Sequence, residues 1–261
     1  MILDEIVAHK KKQLEIEKEK TPIGVLLKEI ERTAQGRDFA GALKGDGINV
    51  IAEIKRASPS KGIIRGEIAP ADIAKLYEKG GADAISVLTE SQYFMGADKF
   101  IKEVKEVVSC PVLRKDFIVD EYQVYQSKAL GADAVLLIVA LLGSGLKRFY
   151  NLAKSLGLEC LVEVHDEYEM DIAVASGAEI IGINNRNLKD FTVSLRTTEK
   201  LIKLVPQNVV KVSESGIKTA DDVRYLRSLG VDAFLIGEAL MRSEDIVGEL
   251  RRLKGVTLWS G

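Results

Sequence analysis

A repeated pattern of glycine, small residue and acidic residue limits the fold of this chain more than any other feature of its sequence. Each copy runs directly into an apolar stretch that is typical of a buried strand. The acids of the four copies are Asp83, Asp133, Glu179 and Asp232, which lie 50, 46 and 53 residues apart. A period of this length indicates that one supersecondary unit is repeated along the chain.

A second set of apolar runs lies between the copies of this pattern. These runs are Asn49 to Ile54, Pro111 to Leu113, Cys160 to Val164 and Val209 to Val212. Together with the repeats they predict eight strands at intervals of about 25 residues. The segments between strands have the periodicity of amphipathic helices, which we expect to end at Gly81, Gly131, Gly157, Gly177 and Gly230.

Strands and helices therefore alternate through most of the chain. Near-continuous apolar strands alternating with amphipathic helices predict a parallel sheet with helices on its outside, and eight units are the number that closes a barrel. We predict an α/β protein, a (β/α)8 TIM barrel, with residues 1–261 in a single domain. A doubly wound open sheet is the structural alternative.

Residues 1–47 precede the alternation and are predicted to form a helical extension that packs on the barrel. One or two helices are expected, Leu3 to Lys20 and Pro22 to Thr33, followed by a glycine-rich stretch that ends at Gly47. Five acids offset five lysines within residues 2–20, so the cluster Lys10 to Lys12 is interpreted as a solvated helix face rather than a nucleic-acid contact. His9 is expected to be exposed.

The charge and hydropathy of the chain argue against nucleic acids and membranes as partners. Lys plus Arg total 37 and Asp plus Glu total 39, which leaves a net charge of −2 and no overall attraction to nucleic acid or to an anionic membrane. The longest apolar run, Ala134 to Leu142, is about half the length of a membrane-spanning helix. With no secretory signal in the first residues, a cytoplasmic location is expected. Cys110 and Cys160 stand alone, so neither a disulfide nor a metal framework is predicted.

Polar side chains follow several predicted strands in pairs two residues apart, which places the members of each pair on one face. The pairs are Glu53 and Lys55, Lys115 and Phe117, Glu163 and His165, and Asn184 and Arg186. In a barrel the carboxyl ends of all strands meet at one mouth, where active sites lie. Three cations and two carboxylates there sum to +1, which suits an anionic ligand.

For His165, without a second histidine or a nucleophile nearby, a hydrogen-bonding or surface role is preferred to a catalytic one.

The loops after the seventh and eighth strands indicate that this anion is a phosphate. They read Ser213 to Ile217 and Ile236 to Leu240, with a glycine in each that lets the backbone approach a ligand closely. Many barrels bind phosphate with these two loops and the start of a short extra helix, which Glu238 to Met241 can form here.

A twelve-residue string, Ile51 to Gly62 (IAEIKRASPSKG), resembles the signature of the indole-3-glycerol-phosphate synthase family of tryptophan biosynthesis. Further strings resemble other motifs of that family in the same order: LRKDFI from Leu113, LVEVH from Leu161, INNRNL from Ile183, SESGI from Ser213 and LIGEALM from Leu235. The resemblance implies a single barrel that converts 1-(2-carboxyphenylamino)-1-deoxyribulose 5-phosphate into indole-3-glycerol phosphate, CO2 and water. It implies no metal or organic cofactor, and a monomer.

The resemblance also implies roles for individual residues. Lys115 matches the general acid that protonates the substrate carbonyl, and Glu163 matches the acid–base residue of the later dehydration. Lys55 matches a second essential lysine, and Glu53 the carboxylate beside it. Which of Lys55, Glu53 and Glu163 assists loss of the hydroxyl stays open.

Substrate contacts come from the same comparison with the family. They are polar at Ser58, Asn184 and Arg186, apolar at Phe94, Phe117 and Leu188, and phosphate-binding at Ser215, Gly216, Gly237 and Glu238. Glu238 would use its backbone N–H, with its carboxylate turned away. The loop from Ser58 to Gly66 is expected to close over the ligand. The residues alone leave open whether Tyr93 and Phe94 form a substrate wall or buried packing.

Two other functions are alternatives to this one. A related phosphate barrel such as phosphoribosylanthranilate isomerase would be expected to place a cysteine and an aspartate at strand ends, whereas Cys110 and Cys160 begin strands. A barrel that binds a phosphorylated ligand without turnover would be expected to lack a catalytic lysine or glutamate, and here all are present.

Overall fold

Eight parallel strands close into a barrel in the computed structural model, which describes residues 2–188 and 190–256. The strands are β1 (Asn49–Ile54), β2 (Ala84–Leu88), β3 (Val112–Lys115), β4 (Ala134–Ile138), β5 (Glu159–Val164), β6 (Ile180–Asn184), β7 (Val210–Glu214) and β8 (Ala233–Ile236). Each pairs with its neighbours in chain order, and β1 pairs with both β2 and β8. The predicted barrel is confirmed, and the open sheet is excluded.

Helices connect the strands and precede them, as predicted. They are α1 (Ile2–Lys20), α2 (Ile23–Ile30), α3 (Phe39–Ala42), α4 (Pro70–Gly80), α5 (Lys99–Lys105), α6 (Glu121–Ala129), α7 (Val139–Leu142), α8 (Leu146–Ser155), α9 (Glu167–Ala175), α10 (Arg196–Leu201), α11 (Ala220–Ser228), α12 (Glu238–Arg242) and α13 (Ile246–Leu253). The five glycines predicted to end helices all have left-handed backbone angles.

The barrel interior is apolar at its lower levels and charged at its mouth. Side chains alternate along each strand, so Ile51 below leads to Glu53 above, and Leu161 leads to Glu163. Strand β7 repeats this sequence with Val212 and then Glu214. The strands therefore bring their last inward-facing residues together at the carboxyl ends.

The N-terminal extension contains a short helix that the sequence did not predict. Helix α3 begins after Asp38, whose carboxylate accepts a hydrogen bond from the Gly41 N–H. Phe39 and Leu43 are fully buried against the apolar barrel interior at the amino ends of the strands, where they contact the cluster containing Ile51. This part of the extension closes the end of the barrel opposite the mouth.

Helix α1 is fixed to the barrel by a buried ion pair, so the prediction of a solvated lysine face is wrong for Lys10. Its ammonium group lies 2.9 Å from Asp116, and both side chains are almost completely buried. Asp116 also accepts hydrogen bonds from Thr89 and Arg114. The equal numbers of acids and lysines in α1 gave no indication of which lysine faces the barrel.

We expect Lys10→Met to lower the free energy of unfolding by about 2 kcal/mol, because it leaves a buried carboxylate short of one cation. The loss stays moderate since Arg114 and Thr89 still contact Asp116. Lys11→Met, on the exposed side of the same turn, is the matched control and should change the value by less than about 0.5 kcal/mol. Urea unfolding measures both; equal effects would contradict a stabilising role of the Lys10 pair.

The long apolar run of the sequence is divided between two elements. Residues 134–138 form β4 inside the barrel, and residues 139–142 form α7 directly after it. Within the ranges 2–188 and 190–256, no helix has the length and hydropathy needed to cross a membrane.

Candidate active site

A cavity of about 860 Å³ opens at the carboxyl ends of the strands. This volume is typical of a site for a small molecule. Its lining includes all the residues predicted for catalysis, substrate contact or phosphate binding: Glu53, Lys55, Ser58, Phe94, Lys115, Phe117, Glu163, Asn184, Arg186, Leu188, Ser215, Gly216, Gly237 and Glu238. The structure thus brings these residues to one place, while their individual roles stay predictions.

Lys115 is the centre of the charged cluster. It is the last residue of β3, and its ammonium group lies 3.0 Å from Glu214 and 3.5 Å from Glu163. Burial by itself lowers the pKa of Lys115, but the carboxylates of Glu214, Glu163 and Glu53 outweigh it and raise the pKa above its ordinary value. Lys115 is therefore an ammonium ion, able to donate a proton, throughout the physiological pH range.

Glu214 is a site residue that the sequence reasoning missed. The sequence predicts that Ser213 to Ile217 belong as a whole to the phosphate loop, whereas strand β7 extends to Glu214 and its side chain lines the cavity. The alternation through Val210 and Val212 could have shown this, since Glu214 follows on the same face. With Glu214 ionised the central charges sum to zero, not +1, and the excess of positive charge depends on its protonation.

Glu163 and Glu214 share Lys115 but differ in their protonation. Burial favours the neutral form of both groups, but Lys115, His165 and a side-chain hydrogen bond from Asn184 lower the pKa of Glu163 below its ordinary value. For Glu214 burial prevails over Lys115, and together with repulsion from Glu163 it raises the pKa to about 7. One Glu214 oxygen, Oε1, is buried without a hydrogen-bond partner among the described residues, while Oε2 accepts from Lys115.

Two glycines give these buried carboxylates their room. A Cβ atom at residue 182 would collide with the Glu214 carboxylate, which belongs to the neighbouring strand β7. A Cβ atom at residue 237 would lie 2.5 Å from Glu53 Oε1. A side chain at either position would therefore displace an acid of the cluster.

Glu53 and Lys55 form a second ion pair beside Lys115. The Lys55 ammonium group donates a hydrogen bond of 2.6 Å to Glu53, and Lys55 is the more exposed partner. Burial acts to raise the pKa of Glu53, but Lys55 and Lys115 overcome this and lower the pKa below its ordinary value.

Within the described part of the chain, no group of three or more His, Cys, Asp or Glu side chains is arranged to hold a metal ion.

One wall of the cavity is aromatic. The rings of Phe94 and Phe117 lie 5.9 Å apart at an angle of 35°, and both face the cavity. Tyr93 instead packs edge-on against His9, whose ring also lies 3.6 Å from Glu90. His9 is thus half-buried between α1 and the loop after β2, and the expectation that it is exposed is wrong.

The loops after β7 and β8 have the backbone geometry that close approach to a ligand requires. Ser215 and Gly216 both have positive φ angles, 65° and 80°. The buried side chain of Asn185 holds this loop by donating hydrogen bonds to Ser213 Oγ and to the Ser215 carbonyl. Helix α12 begins at Glu238 as predicted, directly after Gly237.

The Glu238 carboxylate does not need to point at a ligand. It accepts a hydrogen bond of 3.1 Å from Arg242 on the next turn and lies 3.9 Å from Lys61. Lys61 belongs to a small hairpin, formed by strands 57–58 and 62–63, whose turn residues line the cavity. The expected lid is thus a hairpin at the mouth; that it closes over a ligand stays a prediction.

His165 lies outside the cavity, behind Glu163, and so departs from the expectation that all four polar pairs face the mouth. The residue after Val164 has already left the strand, so its side chain turns away from the barrel axis. Its ring lies between two carboxylates, Glu163 at 3.2 Å and Glu169 at 3.0 Å. The predicted hydrogen-bonding role agrees with this position.

Solved structures with other functions share the fold. Thiamine phosphate pyrophosphorylase from Pyrococcus furiosus superposes with a TM-score of 0.62 at 19% identity and covers 82% of this chain and 96% of its own. KGPDC from Streptococcus mutans gives 0.61 at 12% identity, with coverage of 80% and 97%. At such low identities these matches show the barrel fold alone.

Closer relatives identify the family. The family model for indole-3-glycerol phosphate synthase matches residues 3–253. Proteins named indole-3-glycerol phosphate synthase are 58% identical over 250 residues in Thermoanaerobacter pseudethanolicus, covering 96% of each chain, and 56% identical over 244 residues in Clostridium kluyveri, covering 93% of each. A third, from Acetivibrio thermocellus, is 50% identical over 260 residues, 98% of this chain and 100% of its own. With its barrel, its charged mouth and these relatives, the chain belongs to the indole-3-glycerol phosphate synthase family.

Proposed function

We propose that the charged cluster at the barrel mouth carries out the reaction of this family, with a different proton transfer assigned to each of its lysines and glutamates. The enzyme is a carboxy-lyase of tryptophan biosynthesis, which closes the pyrrole ring of indole-3-glycerol phosphate. The observation that carries the proposal is the position of Lys115, a largely buried ammonium group that lies in the cavity between Glu163 and Glu214. The substrate, 1-(2-carboxyphenylamino)-1-deoxyribulose 5-phosphate, presents a carbonyl group that needs such a donor.

In the first step Lys115 gives a proton to the carbonyl oxygen. The aromatic carbon that bears the carboxylate forms a bond to the carbonyl carbon, and the carbonyl oxygen becomes a hydroxyl group. A positioned proton donor is worth roughly 10²–10⁴-fold in rate. Glu214, which lies 3.0 Å from Lys115 and has a raised pKa, is suited to return the proton that Lys115 has lost.

Decarboxylation follows because the ring carbon that formed the new bond has left the aromatic system. The bond to the carboxylate breaks, CO2 departs, and the electron pair restores the aromatic ring. This step needs no proton from the protein. The apolar wall of Phe94 and Phe117 favours it by removing water from the charged carboxylate, whose charge disappears as CO2 forms.

Dehydration completes the ring. The hydroxyl group takes a proton and leaves as water, and the neighbouring CH2 group loses a proton so that the carbon–carbon double bond forms. Glu163 is ionised and cannot supply the first proton, but it is suited to accept the second. The remaining donor is Lys55, which is held beside the cluster by Glu53.

The rest of the cavity binds the substrate. We assign the phosphate to the backbone of Ser215, Gly216, Gly237 and Glu238, where N–H groups at the start of α12 favour an anion. Polar contacts come from Ser58, Asn184 and Arg186, and apolar contacts from Phe94, Phe117 and Leu188. The separation of a phosphate end from an aromatic end fixes the direction of the substrate in the cavity.

The direct test is turnover. Purified protein given the carboxyphenylamino deoxyribulose phosphate should develop indole fluorescence and release one CO2 for each indole formed. A folded protein that binds the substrate without producing indole would contradict the proposal and would favour a binding protein.

The isomerase alternative has no support, because burial raises the pKa of both thiols, Cys110 to about 11, and Cys160 lies at the start of β5, away from the mouth.

We also propose a monomeric enzyme in the cytoplasm. Cys110 and Cys160 are both free thiols, as is usual in a reducing compartment. The described residues of one chain supply a complete set of acid, base and phosphate-loop residues. Sedimentation equilibrium should give the mass of one chain, and a stable dimer would contradict this part of the proposal.

A further inference from the structure

His165 occupies a position behind the catalytic cluster that the reaction scheme above does not use. Its Nε2 atom lies 3.2 Å from Glu163 Oε1, and its Nδ1 atom lies 3.0 Å from Glu169 Oε2. The same Glu169 oxygen accepts the backbone N–H of His165 at 2.8 Å. The Glu169 hydrogen bond orients the ring, while Nε2 lies within ion-pair distance of Glu163 without a hydrogen-bond partner among the described residues.

This geometry decides the charge of the ring. A neutral imidazole has one N–H donor and one bare nitrogen, and the bare nitrogen would face a carboxylate at about 3 Å. With an acid at each nitrogen, only the doubly protonated imidazolium meets both without repulsion. In agreement, burial lowers the pKa of His165 but Glu163 and Glu169 outweigh it and raise the pKa to about 10.

Glu169 is itself fixed in place. It lies in the first turn of α9, where the Asp166 side chain accepts a hydrogen bond from the Glu169 N–H and caps the helix. Its side chain is only 13% exposed, compared with 12% for His165 and 3% for Glu163. The three side chains thus form a short row from the helix to the cavity, with a cation between two anions.

The two oxygens of Glu163 are consequently assigned to different partners. Oε1 faces His165 outside the cavity, and Oε2 faces Lys115 inside it at 3.5 Å. Lys115 alone is shared by two carboxylates and lies nearer to Glu214. Of the two acids, Glu163 and Glu214, only Glu163 has the imidazolium as a partner. The imidazolium therefore makes Glu163 the weaker proton acceptor of the two.

We propose that His165, clamped by Glu169, is a positioning residue of the ring-closing enzyme: it aims one Glu163 oxygen at the substrate and keeps the proton of the Glu163–Glu214 pair on Glu214. This inference rests on the proposed role of Glu163 as the base of the dehydration. The charged groups that act on the ring are Glu163 from β5 and Glu169 from α9. Lys115 and the Asn184 amide contact Glu163 from its other side.

The first test is the pH dependence of kcat in His165→Asn. Loss of the imidazolium raises the pKa of Glu163, so the acidic limb of the kcat profile should move to higher pH by at least about one unit. At pH values below the shifted limb, kcat should be roughly tenfold lower than in the wild type. Activity should recover towards the wild-type value above the shifted limb. KM should stay within about twofold, because no substrate contact is removed.

Glu169→Gln provides the second test and a safeguard against misfolding. It should move the same limb in the same direction by a smaller amount, and the double variant should move it no further than His165→Asn alone, since Glu169 acts through His165. Glu167→Gln, on the same helix turn but 59% exposed, is the matched control and should leave the profile unchanged.

Two results would overturn the inference. One is an unchanged acidic limb in His165→Asn, and the other is an equal loss of kcat at every pH, which a merely structural role would give. An NMR titration of the wild-type imidazole carbons separates this inference from the proposed function, because it needs no turnover. The His165 ring should remain protonated at pH 8; titration near the ordinary histidine value would contradict the clamp even in an active enzyme.

Discussion

Lys115→Ala is expected to lower the rate of indole formation by at least about 10³-fold while the substrate still binds within a few-fold of the wild-type affinity. The lysine acts on charge that develops on the carbonyl oxygen in the transition state, whereas the phosphate and the aromatic ring of the substrate are held elsewhere in the cavity. Release of CO2 should stop together with indole formation, because decarboxylation requires the new carbon–carbon bond.

The variant has a structural consequence that must be separated from the chemical one. Removing Lys115 leaves Glu53, Glu163 and Glu214 buried around the space it occupied. Their pKa values should rise, and some of them should bind a proton instead. Lys115→Gln, which restores a hydrogen-bond donor without the charge, should fold more stably and remain as inactive. Lys75→Ala, at a lysine exposed on α4, serves as the control.

Measurement of single turnovers by fluorescence and of substrate affinity by calorimetry would test both parts. If Lys115→Gln folds, binds substrate and retains more than about a tenth of the wild-type rate, Lys115 is not the general acid. Substrate affinity that falls in parallel with the rate would instead assign Lys115 to binding in the ground state.

The barrel could be predicted from the sequence because its signal is repeated. Each of the four copies around Asp83, Asp133, Glu179 and Asp232 contains a helix end, a turn and a buried strand in a fixed order, so errors in one copy are corrected by the others. The three aspartates also share a local role: each carboxylate accepts a backbone N–H from the preceding strand, Asp83 from Val50, Asp133 from Val112 and Asp232 from Lys211.

The extension and one acid of the site could not be predicted with the same certainty. Lys10 and Lys11 are identical in local pattern, and only the position of Asp116, more than a hundred residues later, decides that Lys10 is buried. Glu214 was absorbed into a loop motif because strand ends are uncertain by one or two residues. Phe39 and Leu43 carry no periodicity of their own; the open end of the barrel determines their burial.

The protonation of the site depends on three-dimensional distances and could not be derived from spacing. Glu163 and Glu214 are 51 positions apart in the sequence, yet they meet on either side of Lys115. Each comes two positions after an apolar, inward-facing strand residue, so the same-face pattern is alike for both acids. Their pKa values diverge because only Glu163 has His165 and the Asn184 amide as additional partners.

This divergence leads to the second large effect, in Glu163→Gln. An amide is close in shape to the carboxylate but cannot accept the proton that the CH2 group loses during dehydration. We expect indole formation to fall by roughly 10²–10⁴-fold, with the loss confined to that step. Ring closure and decarboxylation should continue, so a single turnover should release CO2 without the fluorescence of indole.

Glu214→Gln is the matched comparison, because it removes the other carboxylate of the same cluster. Glu214 is proposed to return a proton to Lys115, so its loss should slow CO2 release and indole formation by the same factor in every turnover after the first, which Lys115 enters already protonated. A quenched-flow experiment that follows both products in the two variants distinguishes the roles. If Glu163→Gln slows CO2 release as much as indole formation, then Glu163 acts in ring closure, and the assignment of the two acids must be exchanged. If CO2 is released ahead of indole in that variant alone, Glu163 acts in the dehydration and Glu214 does not, as their different pKa values lead us to expect.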